Sequence, residues 1–378
     1  MKTDLVKGFK DYTGEEALKR AEIRKILVGT FERYGFEPAE TPVIESEEFV
    51  KGNNNRDEAV SDIYKLRDKG KRRLALRYEF TFQLKRIAKN KKLPFKRYEI
   101  GPVFRDEPAS VNRFRQFNQC DVDVVGSTIK DEAEVLALTK EVFDRLGIKI
   151  DILFSNRKLL NDVLDDLKIL KNRDKVLREL DKLDKQGLKR TQMALRRLGA
   201  GKLLESISQG EEYLVKFNSY REIISLKEYC KLYGVDILFS PTIVRGLSYY
   251  TGSVFEIKGK NVKETICAGG SYEIEGKNAT GISFGLDRIS QLADIKFERE
   301  KFLVVSLEQD EEAIKVVRIL RKQGKNASIF YGKPSKALEF ANSYNYGNVI
   351  FVGEKEVRAK RYKVKEMSSG KEKGLKLR

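Results

Sequence analysis

One predicted hairpin restricts the fold of this chain more than any other feature. Residues 97–125 have the pattern of two strands joined by a loop. The first strand ends at Phe104-Arg105-Asp106-Glu107, and the second begins at Arg113-Phe114-Arg115-Gln116-Phe117. Arginines beside a rigid strand suit the phosphates of a nucleoside triphosphate, and an aromatic ring suits its base. The hairpin therefore predicts a nucleotide site built on a β-sheet.

The chain has 378 residues and contains no histidine. This excludes any mechanism that needs an imidazole base, a Ser-His pair or a histidine metal ligand. The chemistry must use arginine, lysine, carboxylates, tyrosine, backbone groups and bound metal. The three cysteines are scattered without a C-x-x-C pair, so we expect neither zinc nor a disulfide framework. A reducing cytoplasm is the expected compartment.

The chain is strongly basic, with 75 lysines and arginines against 57 acidic residues and a net charge of +18. Such a charge attracts polyanions, most often nucleic acid. A lysine-rich surface, as in many heat-adapted proteins, is an equally simple explanation. Residues 1–10 are charged and unlike a signal peptide, and no apolar run reaches the roughly 18 residues of a membrane helix.

The first half of the chain predicts helices between strand segments. Residues 15–34 have the apolar spacing of an amphipathic helix that Gly35 ends, and an extended segment with Pro42 follows. A hairpin is expected over 60–79, a helix from there to about Asn90, and another over 131–146. Residues 156–234 are densely charged with a helical pattern.

The second half predicts a return to strands, at 235–258 and 262–275. A boundary is expected near 297–300. After it, the apolar strand 302–307 is followed by a helix (311–323), a strand (327–331), a helix (335–345) and a strand (348–353). This alternation predicts a small doubly wound α/β unit at the C-terminus.

Several motifs resemble one known family. Val244-Arg245-Gly246-Leu247-Ser248-Tyr249-Tyr250 resembles the R-G-L-x-Y-Y signature of histidyl-tRNA synthetases, which are class IIa aminoacyl-tRNA synthetases. Ala268-Gly269-Gly270-Ser271-Tyr272 resembles the family's second histidine motif, and residues 281–288 resemble motif 3. The helix and the Pro42 segment resemble motif 1, and Gly8-Phe9-Lys10-Asp11-Tyr12 resembles the start of archaeal-type members. The chain departs from the family pattern at Ser248, Ser271 and Glu273.

The resemblance implies an α+β fold. It consists of a catalytic core with an antiparallel sheet and helices, a helical insertion, and a C-terminal α/β anticodon-binding domain. The implied boundaries are 1–155 and 235–297 for the core, 156–234 for the insertion and 298–378 for the last domain. It also implies a cytoplasmic homodimer that binds ATP with Mg²⁺, L-histidine and histidine tRNA, with no zinc and no membrane.

The resemblance assigns the ATP site to residues that would neutralise phosphates and hold adenine. Arg105, Arg245 and Arg288 are the implied catalytic residues. The full set of ATP-binding residues is Arg105, Glu107, Arg113, Phe117, Arg245 and Arg288. Phe117 and Arg288 would lie on opposite faces of the adenine ring. No side-chain metal ligand is assigned.

The histidine site is implied to contain Glu79, Phe80, Thr81, Gln119, Asp123, Tyr249, Tyr250 and Tyr272. Glu79 would accept from the ammonium, and Asp123 from one imidazole N–H. The even spacing of Gln119 and Asp123 places both on one face of a strand. If Tyr250 faces the ligand, alternation along a strand points Tyr249 away from it.

Three alternatives remain open at this stage. The chain could be a catalytically silent paralogue of the same fold, acting as a regulatory subunit of a phosphoribosyltransferase. It could be a class II synthetase for threonine, proline or glycine, although the Tyr249-Tyr250 pair and Asp123 argue against this. It could also be a plain nucleic-acid-binding protein, which would leave Glu79, Gln119 and Asp123 unexplained.

Overall fold

The centre of the N-terminal part of the protein is an eight-stranded sheet. The structure is a computed structural model that describes residues 3–52, 58–110, 113–246, 249–260, 265–295 and 300–375. It divides into two units, Met1–Ile295 and Lys296–Arg378. The strands of the first unit are β1 (Glu37–Pro38), β2 (Ile44–Ser46), β3 (Lys65–Arg67), β4 (Arg73–Leu76), β5 (Phe95–Phe104), β6 (Gln116–Val125), β7 (Ile150–Asn156), β8 (Leu238–Phe239), β9 (Tyr250–Gly259), β10 (Thr265–Ile274) and β11 (Lys277–Gly285).

The helices of the first unit are α1 (Gly14–Arg33), α2 (Glu47–Lys51), α3 (Glu58–Ser61), α4 (Thr81–Ala88), α5 (Ile129–Arg145), α6 (Arg157–Asp166), α7 (Arg173–Asp181), α8 (Leu183–Gln186), α9 (Leu188–Arg197), α10 (Leu203–Ser208), α11 (Glu211–Leu214), α12 (Tyr220–Leu232) and α13 (Leu286–Leu292). The large sheet has the order β1-β5-β6-β11-β10-β9-β7-β8, and β2-β4-β3 form a separate small sheet. The long central strands of the large sheet, in the spatial order β5-β6-β11-β10-β9, pair antiparallel. The expected α+β class with an antiparallel catalytic sheet is confirmed.

The predicted hairpin is the β5–β6 pair. Its register runs without a shift from Phe95 opposite Val125 to Phe104 opposite Gln116. Successive residues on β6 face opposite sides of the sheet, so one face carries Val122 and Val124 in the core. The other face of β6 carries Gln119 and Asp123, on the side away from this core. Sheet pairing on both sides of β6 gives these polar side chains a rigid base.

Helices cover the apolar face of the sheet. Helix α1 buries Ile23, Leu27 and Phe31, and it ends where Gly35 takes the left-handed φ of +76°. Thr128 is the N-cap of helix α5. Its side chain caps the first turn, and the Asp131 side chain accepts a hydrogen bond from the Thr128 backbone N–H. Both helices contribute to one continuous apolar core with the sheet.

The helical prediction for residues 156–234 is confirmed in type, because α6 through α12 occupy Arg157–Leu232. Buried side chains of these helices, such as Leu160, Leu177 and Leu226, belong to the same apolar cluster as the sheet. Whether the segment is a domain of its own stays a prediction. In the ranges that the structure describes, no helix is both long and apolar enough to cross a membrane.

One strand prediction was wrong in extent. We expected a strand over 235–258, but β8 contains only Leu238–Phe239 and β9 begins at Tyr250. Between them the chain turns at Gly246, which has φ +59° and whose carbonyl accepts from the backbone N–H groups of Tyr249 and Tyr250. Leu247, Ser248 and residues 262–264 and 297–299 also carried predictions, and they lie outside the described residues.

The second unit is an α/β sheet, as predicted. It contains β12 (Lys301–Ser306), α14 (Asp310–Lys322), β13 (Asn326–Tyr331), α15 (Pro334–Ser343), β14 (Asn348–Val352), α16 (Glu354–Ala359), β15 (Tyr362–Glu366) and β16 (Glu372–Leu375). Strand β12 pairs parallel with β13 and β14, and β15 and β16 extend the sheet antiparallel. The sequence analysis missed this last hairpin, because its lysine-rich strands lack an apolar run.

Candidate active site

Two adjoining cavities open on the polar face of the large sheet. The first has a volume of about 650 Å³ and the second about 260 Å³. Five residues line both: Arg105, Gln119, Arg245, Ala268 and Ser283. A ligand in one cavity can therefore meet a ligand in the other beside two arginines.

Most of the residues predicted for histidine line the first cavity. They are Glu79, Thr81, Gln119, Asp123, Tyr249, Tyr250 and Tyr272. Glu79 and Thr81 come from the entry to α4, and Gln119 and Asp123 come from one face of β6. Tyr249 comes from the turn before β9, Tyr250 is the first residue of β9, and Tyr272 comes from β10. The structure thus brings together residues that are up to 193 positions apart in sequence.

Phe80 is the exception in the predicted set. Its ring is completely buried, and the Arg77 guanidinium lies over it at 4.6 Å from the ring centre. Phe80 precedes the first residue of α4, and its side chain points into the core while its neighbours Glu79 and Thr81 line the cavity. Phe80 lines neither of the two cavities, and its assignment to the histidine site stays a prediction.

The carboxylate of Asp123 is held from two directions. The Tyr272 hydroxyl donates to its Oδ1, and the Arg97 guanidinium lies 2.9 Å from its Oδ2. Burial raises the pKa of Asp123, whereas Arg97 and Tyr272 act in the opposite direction by stabilising its anion. Arg97 itself is 1% exposed, so its charge is compensated by carboxylates, with Glu99 at 3.5 Å. The sequence analysis did not predict a role for Arg97.

The tyrosines form an aromatic wall. Tyr249 stacks on Tyr272 with ring centres 4.6 Å apart, and Tyr250 meets Tyr249 edge-on at 5.1 Å. Both Tyr249 and Tyr250 line the cavity, so the expectation that Tyr249 points away was wrong. The reason is that Tyr249 lies in the turn before β9, where strand alternation does not apply.

All residues predicted for ATP line the second cavity: Arg105, Glu107, Arg113, Phe117, Arg245 and Arg288. The Arg105 guanidinium lies 5.2 Å from the centre of the Phe117 ring, and its Nε donates to the Tyr78 carbonyl at 3.2 Å. The Arg113 guanidinium forms an ion pair with Glu107. This cavity presents cations and one aromatic ring, which suits a nucleotide.

Arg245 and Arg288 are held by a shared network on β9 and β10. Arg245 Nη2 donates to Glu256 Oε1 at 3.0 Å and to Thr265 Oγ1 at 2.6 Å. Arg288 Nη1 donates to the Thr265 backbone carbonyl at 2.6 Å. Glu256 and Thr265 therefore position the two arginines, and the sequence analysis missed both residues.

Asp121 is a further residue that the sequence analysis missed. It lies between Gln119 and Asp123 on the same face of β6 and lines the first cavity. Burial, with the nearby Asp123 charge, raises the pKa of Asp121 to about 8. The alternation 119, 121, 123 contained the signal, because every second residue of a strand shares a face.

The helical segment also reaches the first cavity. Leu180, Asp181, Leu183, Asp184 and Lys185 line it from α7 and α8. Asp184 forms an ion pair with Lys258 of β9 at 2.8 Å. The first cavity is therefore bounded by the sheet on one side and by these helices on another. The charged helical pattern of the sequence did not predict this contribution of the helices to the cavity.

The side chains offer little for a protein-held metal. Across the described ranges, no group of three or more cysteine, aspartate or glutamate residues is arranged to hold a metal ion. The charged side chains that line the second cavity are mainly arginines, and the carboxylate of Glu107 is paired with Arg113.

Several known proteins are similar to this chain over most of its length. The chain is 34% identical to histidine–tRNA ligase 1 of Bacillus cereus over 409 residues, covering 97% of this chain and 96% of the relative. It is 35% identical to histidine–tRNA ligase 2 of Shouchella clausii, with the same coverage. The fold matches the crystal structure of histidyl-tRNA synthetase from Nostoc sp. PCC 7120 with a TM-score of 0.85, at 24% identity and coverage of 99% and 97%.

The fold also matches a Bacillus halodurans structure described as an ATP phosphoribosyltransferase regulatory subunit/histidyl-tRNA synthetase. That match has a TM-score of 0.77 and 23% identity, and it covers 92% of this chain and 98% of the other. The family model for histidyl-tRNA synthetase matches residues 8–289. The match includes the hairpin, the Arg245 segment and the start of α13 with Arg288, all of which contribute lining residues to the cavities. The chain belongs to the histidyl-tRNA synthetase family.

Proposed function

We propose that this protein activates L-histidine with ATP and transfers the histidyl group to the 3′ end of histidine tRNA. One observation carries the proposal above all. A cavity of carboxylates and tyrosines joins a cavity of arginines and one aromatic ring at Arg105 and Arg245. Histidine in the first and ATP in the second would place a carboxylate beside a phosphate between two cations.

In the activation step, a carboxylate oxygen of histidine attacks the α-phosphorus of ATP. The new bond is a mixed anhydride, and pyrophosphate leaves with the electrons of the broken P–O bond. Negative charge builds on the phosphorus oxygens, so fixed cations contribute more than a base. Arg105 and Arg245 are the residues that we assign to this charge, with Arg288 and Phe117 at the base of ATP.

Recognition of histidine depends on hydrogen-bond partners in the first cavity. We assign Glu79 to the ammonium and Asp123 to one imidazole N–H, with Tyr249, Tyr250 and Tyr272 enclosing the ring. Arg97 supports this assignment, because the ion pair at 2.9 Å favours the anionic, proton-accepting form of Asp123. A site of this kind rejects analogues that lack the matching donors.

Transfer to tRNA is proposed to use the second unit. Lys355, Arg358, Lys360, Arg361 and Lys363 are exposed around α16 and the start of β15. Arg358 pairs with Glu354 and Lys363 pairs with Glu372 at 3.1 Å, so Lys355, Lys360 and Arg361 are the better candidates for phosphate contacts. A homodimer and a cytoplasmic location belong to the same proposal, the dimer through the resemblance of α1 to motif 1.

The decisive experiment is ATP–pyrophosphate exchange with each amino acid supplied separately in the presence of magnesium. We expect exchange with histidine alone. Exchange with another amino acid would contradict the assignment of the first cavity. No exchange with any amino acid, from protein shown to be folded by circular dichroism, would favour the silent regulatory paralogue instead.

A further inference from the structure

Three side chains on two neighbouring strands form a hydrogen-bonded chain beside both cavities. Gln119 Nε2 donates to Ser283 Oγ at 2.8 Å, and Ser283 Oγ donates to Asp121 Oδ1 at 2.6 Å. Asp121 and Ser283 are directly opposite each other in the β6–β11 ladder. Gln119 lies two residues along β6 from Asp121, on the same face. Sheet register therefore fixes where the three groups meet.

The chain of hydrogen bonds has a direction. A serine hydroxyl carries one proton, and Ser283 uses it in the hydrogen bond to Asp121 Oδ1, which accepts in either protonation state of Asp121 because an added proton can lie on Oδ2. Only the lone pairs of Ser283 then face Gln119, so Ser283 can accept a hydrogen bond from Gln119 but cannot donate one. The amide of Gln119 must present its NH₂ group to Ser283, because a flipped amide would bring two acceptors together. Its Oε1 is thereby left for another donor.

That oxygen lacks a donor within the protein. Among the residues that the structure describes, no group forms a hydrogen bond with the buried Oε1 of Gln119. An unsatisfied buried acceptor costs free energy, and a ligand that supplies a donor recovers it. Gln119 is 9% exposed and lines both cavities, so the donor belongs to a ligand at their junction.

The chemistry of the reaction identifies the donor. The substrate carboxylate must reach the junction of the cavities in order to meet ATP. The ammonium is on the carbon next to that carboxylate, whereas the imidazole extends away from it. Asp123, four residues along β6 from Gln119, lines the first cavity, where we place the imidazole. The ammonium is thus the ligand donor nearest to Gln119.

We propose that Ser283 and Asp121 are positioning residues that hold the Gln119 amide with Oε1 toward the substrate ammonium. They act through Gln119 and set its orientation. This inference rests on the proposed function, because it needs an amino acid in the first cavity. It adds two specificity-determining residues on β6 and β11 to the recognition of the ammonium.

The test compares two ligands that differ only in the ammonium group. Histidine and 3-(imidazol-4-yl)propanoate are titrated by calorimetry into the wild type, Ser283→Ala, Ser283→Thr and the matched control Ser208→Ala, an exposed serine on α10. Ser283→Ala should weaken histidine binding roughly tenfold and change propanoate binding by less than about twofold. Ser283→Thr, which keeps the hydroxyl, should restore most of the difference. Equal weakening of both ligands by Ser283→Ala would indicate a general structural role and overturn the inference.

A double variant tests whether Ser283 acts through Gln119. If it does, Gln119→Ala with Ser283→Ala should bind histidine as weakly as Gln119→Ala alone, within about twofold. Additive losses would mean that Ser283 contacts the ligand independently, which overturns the inference. Asp121→Ala breaks the same chain at its other end and replaces Ser283→Ala should that variant fail to fold.

Wild-type ATP–pyrophosphate exchange separates the two proposals. A wild type without histidine-dependent exchange would overturn the proposed function and this inference with it. A wild type that exchanges with histidine, together with a Ser283→Ala variant of unchanged histidine affinity, would overturn only the inference.

Discussion

The carboxylate of Glu256 accepts a hydrogen bond from the Arg245 guanidinium at 3.0 Å, and the two residues come from opposite sides of the turn at Gly246. Glu256 is 5% exposed within β9, while 41% of the Arg245 side chain remains exposed. A fixed carboxylate thus anchors a cation that otherwise extends into open cavity space. Under the proposed function, this pair sets the position of the Arg245 guanidinium beside the two reacting anions.

Removal of that anchor should slow the activation step. We expect Glu256→Ala to lower the rate constant of histidine-dependent exchange about tenfold, because Arg245 loses its fixed position beside the α-phosphate. Exchange kinetics at saturating ATP and histidine measure this effect. Glu212→Ala, at an exposed acid on α11, is the control and should keep the wild-type rate. An unchanged rate for Glu256→Ala would show that Arg245 needs no support.

Arg105 and Arg113, at the two ends of the hairpin loop, should differ in their contribution to the exchange reaction. Arg105 lines both cavities, whereas Arg113 lines the second, is 59% exposed and is paired with Glu107. We expect Arg105→Ala to reduce the exchange rate by about a hundredfold or more, because it removes charge stabilisation at the α-phosphate. Arg113→Ala should mainly raise the KM for ATP. The reverse order of effects would contradict the placement of the α-phosphate beside Arg105.

Arg97 should be essential for stability as well as for the site. Its replacement by methionine leaves Asp123 without its buried cation, while Glu99 keeps its ion pair with Arg77 at 2.9 Å. We expect Arg97→Met to lower the free energy of unfolding by about 3–5 kcal/mol. Urea unfolding followed by circular dichroism measures this loss. Arg73→Met is the matched control, since the Arg73 side chain is 70% exposed and its partner Glu47 keeps an ion pair with Lys51 at 2.6 Å, so the loss should be small. Equal losses from both variants would contradict this prediction.

Asp121 should make stability depend on pH. Its pKa of about 8 in the folded protein lies above the value of about 4 in an unfolded chain, so the folded state binds more protons between these values. Stability from this group therefore falls as pH rises from about 4 to about 8. Asp121→Asn removes the titration, and its Tm relative to wild type should increase from pH 5 to pH 9.

Thermal unfolding at pH 5, 7 and 9 provides the comparison. Asp236→Asn, at an exposed position before β8, is the control for the general effect of losing one acidic group. A Tm difference for Asp121→Asn that stays constant across this range would show that Asp121 does not titrate there.

Gly246 should be required for the tyrosine wall. A Cβ atom at this position would lie 2.3 Å from the Tyr250 ring, and the backbone φ of +59° disfavours other residues. We expect Gly246→Ala to weaken histidine binding because Tyr250 must move. Gly234→Ala is a matched control, since Gly234 has φ +70° but open space around it. Both variants should lose roughly 1–2 kcal/mol of stability from backbone strain, whereas calorimetry should detect weaker histidine binding in Gly246→Ala alone.

The sequence predicted those parts of the site that local pattern determines. The β5–β6 hairpin, the face shared by Gln119 and Asp123, and the α/β alternation of the second unit all follow from short-range periodicity. The resemblance to one family then grouped distant segments such as Glu79 and Tyr272. Both are confirmed as cavity-lining residues, although their roles toward a ligand stay predictions.

The residues that were missed depend on long-range packing. Arg97 is placed opposite Asp123 by the register of β5 and β6, and Thr265 meets Arg245 only because β9 and β10 pair. Buried ion pairs and cross-strand contacts of this kind have no period in one sequence. The position of Tyr249 was mispredicted for a related reason, since a turn replaced the strand on which alternation depends.

The absence of histidine from the chain makes a ligand in the first cavity accessible to spectroscopy, because no part of the protein contains an imidazole. In a complex with histidine, every imidazole signal in a proton NMR spectrum would belong to the ligand. Chemical shifts of those ring protons would report directly on the tautomer and charge selected by Asp123 and the aromatic wall, without isotope labelling of the protein. The substrate is thus its own probe, because no side chain of the enzyme contributes an imidazole signal.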